Sequence, residues 1–174
     1  MKKLFALVLA LAMTLSLVAC GGGSSDTSSG GDVDEILIGN LLPLSGASAS
    51  LGLIGQQARD MAVEEINAAG GIKSMGGAQL KMIYADSKGD SAEGVTQIEK
   101  LITQDGVQLI TGCYQSGVCM ATSEVTERYG IPYFVPVPSD DQITDRGFKY
   151  LFRLAEKTSW RNRDQVAFIQ DMAE

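Results

Sequence analysis

No histidine occurs anywhere in the 174 residues. That removes the general base of Ser-His-Asp and Cys-His machinery and the side chain that most often ligates a metal. Positive charge is scarce too, with 14 Lys and Arg against 21 Asp and Glu. Without Lys2 and Lys3 of the N-terminal segment, 12 bases face the same 21 acids. A surface of that sign repels phosphate backbones, so nucleic acid is not an expected partner. Neither a P-loop nor a dinucleotide fingerprint is found, which disfavours nucleotides. No cofactor and no metal is expected, and no internal repeat is seen. What remains is ordinary globular composition, 45% hydrophobic and 20% charged, enough for one compact domain with a real core.

The N-terminus sets the compartment. Met1-Lys2-Lys3 is a short positive region, and LFALVLALAMTLSLVA is an apolar run too short to be a comfortable membrane span. Leu17-Val18-Ala19-Cys20 resembles the bacterial lipobox, in which the cysteine is lipidated before cleavage. The alternative is an ordinary secretory signal with Cys20 merely near the cut, and the Gly/Ser tail that follows favours the lipobox. The expected division is a signal peptide over 1–19, a lipidated Cys20 with a flexible Gly/Ser tether over 20–33, and a folded part over 34–174. The mature protein is then lipid-anchored to the membrane and extracytoplasmic.

Beyond Glu35 the pattern alternates. EILIGNLLPL (35–44) is a nearly continuous apolar run, as for a strand buried on both faces. A helix over about 51–69 follows, with Ile54, Ala58, Met61, Ala62, Ile66 and Ala69 as its expected inner face and Gly70-Gly71 as its C-cap. QLKMIYAD (79–86) is the second strand, and Asp90 to Glu93 forms a capping box. The helix it opens turns Val95, Ile98, Leu101 and Ile102 inward. VQLITG (107–112), IPYFVPV (131–137) and YLFRLA (150–155) complete the strands. Between them lies a helix over about 117–129, with Val118, Ala121, Thr122 and Val125 inward. A last helix starts near Ser159, where Trp160 is read as a packing residue. Strands alternating with helices predict an α/β fold, a doubly wound parallel sheet with helices on both faces.

In such a sheet, ligands sit outside the carboxyl ends of the strands. Three segments fall on that edge: PLSGASASLG (43–52), GCYQSGVC (112–119) and PVPSDDQIT (136–144). Each offers small hydroxyl residues, and a helix N-terminus there favours a small anion such as a carboxylate. Taken singly, Ser116 reads as a plain N-cap and Ser45 and Ser48 as turn serines. Taken together, three hydroxyl-bearing loops on one edge make a binding site. Cys113 and Cys119 could form a disulfide in an oxidising compartment, but nothing in the sequence fixes their distance; they are read as free, small packing residues.

The stretches IGNLLPLSG, AVEEINAAGGI, LITQDGVQLITG, IPYFVPVPS and ITDRGFKYLFR resemble the leucine/isoleucine/valine-binding protein family, from Glu35 to about Ala173 without large gaps. These are type I periplasmic binding proteins serving branched-chain amino acid ABC transporters. The resemblance implies a two-lobed binder whose first lobe holds the amino acid's carboxylate and part of its ammonium, with a transporter permease as partner. It places Ser116 and the neighbouring Gln115, together with Val137, Pro138 and Ser139, at the ligand. Leu51 stands where the family often has an aromatic residue lining the side-chain pocket. Asp140 and Asp141 replace smaller residues, and Asp140 is expected to cap the next turn. The family's second lobe and its acidic ammonium partner lie downstream of residue 174. The chain therefore reads as a truncated first lobe, binding ligand weakly.

Other readings are a cysteine enzyme, a sensory ligand-binding domain, a ligand-responsive repressor and a non-functional fragment. The first would need Lys, Arg or a helix dipole to activate its thiolate. The second would need a transmembrane helix or signalling domain, which this sequence does not show. An export signal and the absence of an N-terminal DNA-binding helix pair argue against the third.

Overall fold

The computed structural model describes residues 34–173; the proposed signal peptide, Cys20 and tether lie outside the described residues. Five strands, β1 (Glu35–Leu42), β2 (Gln79–Asp86), β3 (Leu109–Gly112), β4 (Tyr133–Val135) and β5 (Leu151–Arg153), form one sheet of order β2-β1-β3-β4-β5. Every pairing is parallel. Between them run α1 (Ala49–Ala68), α2 (Ser91–Thr103), α3 (Ser116–Tyr129) and α4 (Gln142–Asp145), with α5 (Thr158–Ala173) last. The second strand keeps its expected bounds, and β3, β4 and β5 are shorter than the apolar runs that announce them.

Side chains alternate across β1, and the helices divide accordingly. Leu41 faces Gly94 of α2, while Leu42 faces Gly55 of α1. The main core lies on the α2–α3 side, where Leu41, Ile98, Leu101, Ile110, Val118, Cys119, Tyr133 and Val135 are buried. The inward residues expected of α2 and α3 are there, with Val95, Ile102 and Ala121 only half-buried. Asp90 caps α2 by accepting from the Glu93 N–H at 2.8 Å. The reciprocal half of the box is absent, since Glu93 accepts from Gln97 Nε2 at 2.9 Å.

The first helix corrects the sequence reading. Ile54, Ala58, Met61, Ala62, Ile66 and Ala69 are exposed; the inner face is Gly52, Gly55, Gln56, Arg59, Val63 and Asn67. Close approach and polar bonding set the rotation of this helix, and its apolar stripe does not. A Cβ at Gly52 would meet the Pro43 carbonyl, whose carbon would lie 2.7 Å away. Asn67 brackets Leu80 of β2, donating to its carbonyl and accepting from its N–H, both at 2.8 Å. Tyr84 donates to Asp60 Oδ1 at 2.5 Å from the same strand. These four polar and steric constraints outweigh an apolar stripe whose exposure is individually unremarkable.

Trp160 is likewise half-exposed, not packed, with the Lys157 ammonium 5.8 Å from its ring centre. The helix that carries it, α5, buries none of its residues. No helix among the described residues is long and apolar enough to cross a membrane.

Candidate functional site

The carboxyl ends of all five strands open on one edge, and each loop there is tied down by a specific polar contact. Asp86, the last residue of β2, gathers the first loop. Its Oδ1 accepts from the N–H groups of Leu44 (2.8 Å), Ser45 (3.2 Å) and Lys88 (2.8 Å), and its Oδ2 from the Ser45 hydroxyl at 2.5 Å. Burial pushes the Asp86 carboxyl up, but the Ser45 hydroxyl and those N–H groups outweigh it and hold it below its ordinary value. Gln115 joins two loops, donating from Nε2 to Ser48 Oγ at 3.2 Å. It also lies against Gly89, where a Cβ would come within 2.8 Å of its amide nitrogen.

Asp86→Asn tests this arrangement. The folded-state carboxyl is depressed, so its contribution is present at neutral pH and lost as pH falls through the carboxylate range. Asparagine keeps an acceptor but loses the charge, and the site is largely exposed, so a loss of about 1 kcal/mol is expected at pH 7. The difference from the parent chain should begin to shrink below about pH 4, where the unfolded chain's carboxyl protonates first, and go on shrinking as pH falls through the lower folded value. Urea unfolding of both proteins at pH 7 and pH 3.5 measures it.

Beyond these ties lies a cavity of about 580 Å³, within the usual range for small-molecule sites. Its wall is Ser116, Ser139, Asp140, Asp141, Gln142, Thr158, Ser159 and Asn162. Ser116 is the first residue of α3, whose N-cap Gln115 makes no side-chain cap bond. The first N–H groups of that helix therefore open beside the cavity without an intrahelical partner. Elsewhere on the lining, Ser139 takes two bonds from Thr158: the N–H donates to its carbonyl at 2.9 Å, and Oγ1 is 3.1 Å from its Oγ. Asp140 caps the next turn, accepting from the Gln142 N–H at 2.9 Å. Asp141 accepts from the Ser159 N–H at 3.2 Å, and the Ser159 bonds hold its carboxyl below the ordinary range. The lining thus offers the Ser116 hydroxyl and a helix N-terminus for an anionic group, and carboxylates beside the Ser139 and Thr158 hydroxyls for a cationic one.

Of the residues singled out in the sequence, Ser116 and Ser139 meet at this cavity. Gln115 bonds Ser48 instead, and Pro138 is buried with its carbonyl held by Arg153 at 2.9 Å. Leu51 and Val137, each 46% exposed, stand off the wall. Thr158, Ser159 and Asn162 escaped sequence reasoning, although the exit of β5 lies on the same edge and the rule that marked the other loops marks it too. Among the described residues no cluster of His, Cys, Asp or Glu could hold a metal. Cys113 and Cys119 are free and buried, and the bond between their thiols, with burial behind it, pushes the Cys119 thiol up. Cys119 is thus an un-ionised packing group, while the same hydrogen bond holds the buried Cys113 thiol below its ordinary value.

The chain is similar to known proteins in sequence and fold. A family profile described as "Periplasmic binding protein" matches residues 35–172. Leu/Ile/Val-binding protein homolog 8 of Brucella suis biovar 1 (strain 1330) is 35% identical over 149 residues, 86% of this chain and 36% of that protein. The chain thus spans about a third of the length of the curated relatives it matches. The branched-chain amino acid transporter substrate binding protein LivJ from Streptococcus pneumoniae, solved with isoleucine, is 33% identical. It aligns over 71% of this chain and 34% of its own, with a TM-score of 0.66. An ABC transporter substrate-binding protein from Desulfitobacterium hafniense, solved with Leu, shares the fold at a TM-score of 0.71 over 79% of this chain and 39% of its own, with 23% identity. With the same parallel sheet in those structures and the family profile running from the first strand through the last helix, the chain belongs to the periplasmic binding protein family.

Proposed function

We propose that this chain is the first, ligand-capturing lobe of an extracytoplasmic substrate-binding lipoprotein of an ABC transporter, taking branched-chain or related amino acids. The observation that carries the reading is the cavity that Ser116, at the uncapped start of α3, shares with Ser139, Asp140 and Asp141. An amino acid brings a carboxylate and an ammonium on one carbon, and those walls carry the complementary groups. The carboxylate lies against Ser116 and the N-terminus of α3; the ammonium faces the acidic wall. Lipidation of Cys20 anchors the protein beside a permease, its transport partner, and no residue acts as a catalyst.

The reading is tested by following ¹H–¹⁵N shifts of the chain during titration with L-leucine, L-isoleucine and L-valine. Saturable shifts at Ser116 and Ser139, with millimolar dissociation constants, are expected. Ser116→Ala should weaken them by about tenfold, the loss of one hydrogen bond to a charged group. Shifts confined elsewhere, or none with any amino acid, would remove the proposal. For the anchor, labelling cells with a fatty acid should mark the protein and leave Cys20→Ala unlabelled.

A further inference from the structure

Four of the eight wall residues, Ser139, Asp140, Asp141 and Gln142, follow one another between β4 and the first turn of α4. This stretch is held by one side chain of the neighbouring strand. Arg153, the last residue of β5, donates from Nη1 to the Pro138 carbonyl at 2.9 Å and from Nη2 to the Asp140 carbonyl. Its Nε donates to Thr144 Oγ1 at 3.3 Å. All three guanidinium nitrogens are engaged, on both sides of Ser139 and at the far end of the stretch. Among the described residues Arg153 makes no ion pair, so its charge serves carbonyls and a hydroxyl. The clamp reaches further through the wall itself, because Ser139 accepts from Thr158 and Asp141 from Ser159. Six of the eight wall residues are therefore in the clamped stretch or one hydrogen bond from it.

We propose that Arg153, which does not itself line the cavity, is the positioning residue of this wall: its planar fork fixes where Ser139, Asp140 and Asp141 stand relative to Ser116. The inference rests on the reading of the cavity as the ligand site. A planar guanidinium holds two carbonyls and a hydroxyl in a geometry that a flexible ammonium cannot reproduce, so lysine should restore only part of the effect.

Amide hydrogen exchange of the full chain tests the clamp without a ligand, comparing Arg153→Met, Arg153→Lys and a core control, Leu151→Ala. In Arg153→Met the amides of Gln142, Thr158 and Ser159 should exchange at least tenfold faster. Those of Tyr133 and Leu154, which bond Tyr150 and Val135 across the β4–β5 ladder, should keep their protection. Arg153→Lys should fall between, and Leu151→Ala should accelerate both groups together. Unchanged exchange at Gln142, Thr158 and Ser159 in both Arg153 variants would overturn the proposal, as would acceleration spread equally over ladder and wall. A parallel leucine titration should show a dissociation constant raised about tenfold in Arg153→Met. If the parent chain itself shows no response to any amino acid, the function reading falls while the exchange result still decides the clamp. If the parent binds and Arg153→Met binds equally well, the clamp falls and the function reading stands.

Discussion

Gly112→Ala is expected to destabilise the fold by about 3 kcal/mol or more, roughly a third of the stability of a typical domain. Gly112 closes β3 with φ at +109°, a backbone conformation that L side chains rarely adopt. Space forbids the substitution as firmly as conformation does. A Cβ there would run into the Leu41 carbonyl oxygen and come within 2.5 Å of Asn40 Oδ1, both on the central strand β1. Neither neighbour can retreat. The same carbonyl accepts the Cys113 N–H at 2.5 Å, and Asn40 is fully buried. Relief must therefore come from parting β1 and β3 at the carboxyl edge, where Gln115 and Ser116 begin. Thermal unfolding followed by circular dichroism should show a fall of roughly 10 °C or more in midpoint. A control at Gly106, where a Cβ meets nothing within 4 Å, has an unfavourable φ of +66° without the collision. Gly106→Ala should cost about 1 kcal/mol. Equal losses at the two sites would mean that conformation alone governs, and that the close approach to β1 carries nothing.

The edge that Gly112 terminates is held together by three side chains of different chemistry. Asp86 collects backbone N–H groups, Gln115 bonds a hydroxyl, and Arg153 collects carbonyls. Loops leaving parallel strands cannot satisfy one another as strands do, so their polar groups need partners from outside the ladder. In this fold an anion fixes the loop after β1, an amide bridges the loops after β1 and β3, and a cation fixes the loop after β4. Of the three, Arg153 holds the stretch that lines the cavity and Gln115 directly precedes Ser116 on its wall, while Asp86 sits at the far edge of the sheet.

Much of this was legible in the residues, and the reasons for the rest are physical. Alternation of apolar strands with helical periodicity placed all five strands and the four long helices, because burial on both faces of a parallel sheet writes continuous apolar runs. The carboxyl-edge rule then brought Ser116 and Ser139 to one cavity. It could not show that Gln115 and Pro138 would be spent on neighbouring loops, since a glutamine beside a serine reads the same whether it meets a ligand or Ser48. The rotation of α1 was misread because glycines and an asparagine decided it, and hydrophobic periodicity gives those residues no weight. The four-residue α4 is too short for any periodic signal. Asp86 and Arg153 are single charges at strand ends. Apart from the nearby Lys88 N–H, their backbone partners at Leu44, Ser45, Pro138 and Asp140 lie 13 to 42 residues away, which sequence patterns do not record.

Truncating Tyr133 to alanine should be the most damaging change in the core, about 3–5 kcal/mol, whereas Tyr133→Phe should cost about 1 kcal/mol or less. Tyr133 is the largest of the fully buried side chains, on the β4 strand between Ile110 of β3 and Leu151 of β5. It fills the layer between the sheet and α3, and burial raises its phenol well above the ordinary value. Its hydroxyl lies 3.4 Å from Thr122 Oγ1, which already donates to the Val118 carbonyl at 2.8 Å. Removing the hydroxyl therefore strands no donor on Thr122, and a phenylalanine ring keeps the packing. Removing the ring leaves a cavity against Cys113, Cys119 and Thr122, under the helix whose first residue is Ser116. Calorimetry of the two variants separates volume from hydrogen bonding, and a phenylalanine variant as unstable as the alanine one would show that the hydroxyl, not the ring, holds α3 to the sheet. Leucine titration of Tyr133→Phe should return the parent's shift at Ser116, because the ring that supports the helix carrying Ser116 is still in place.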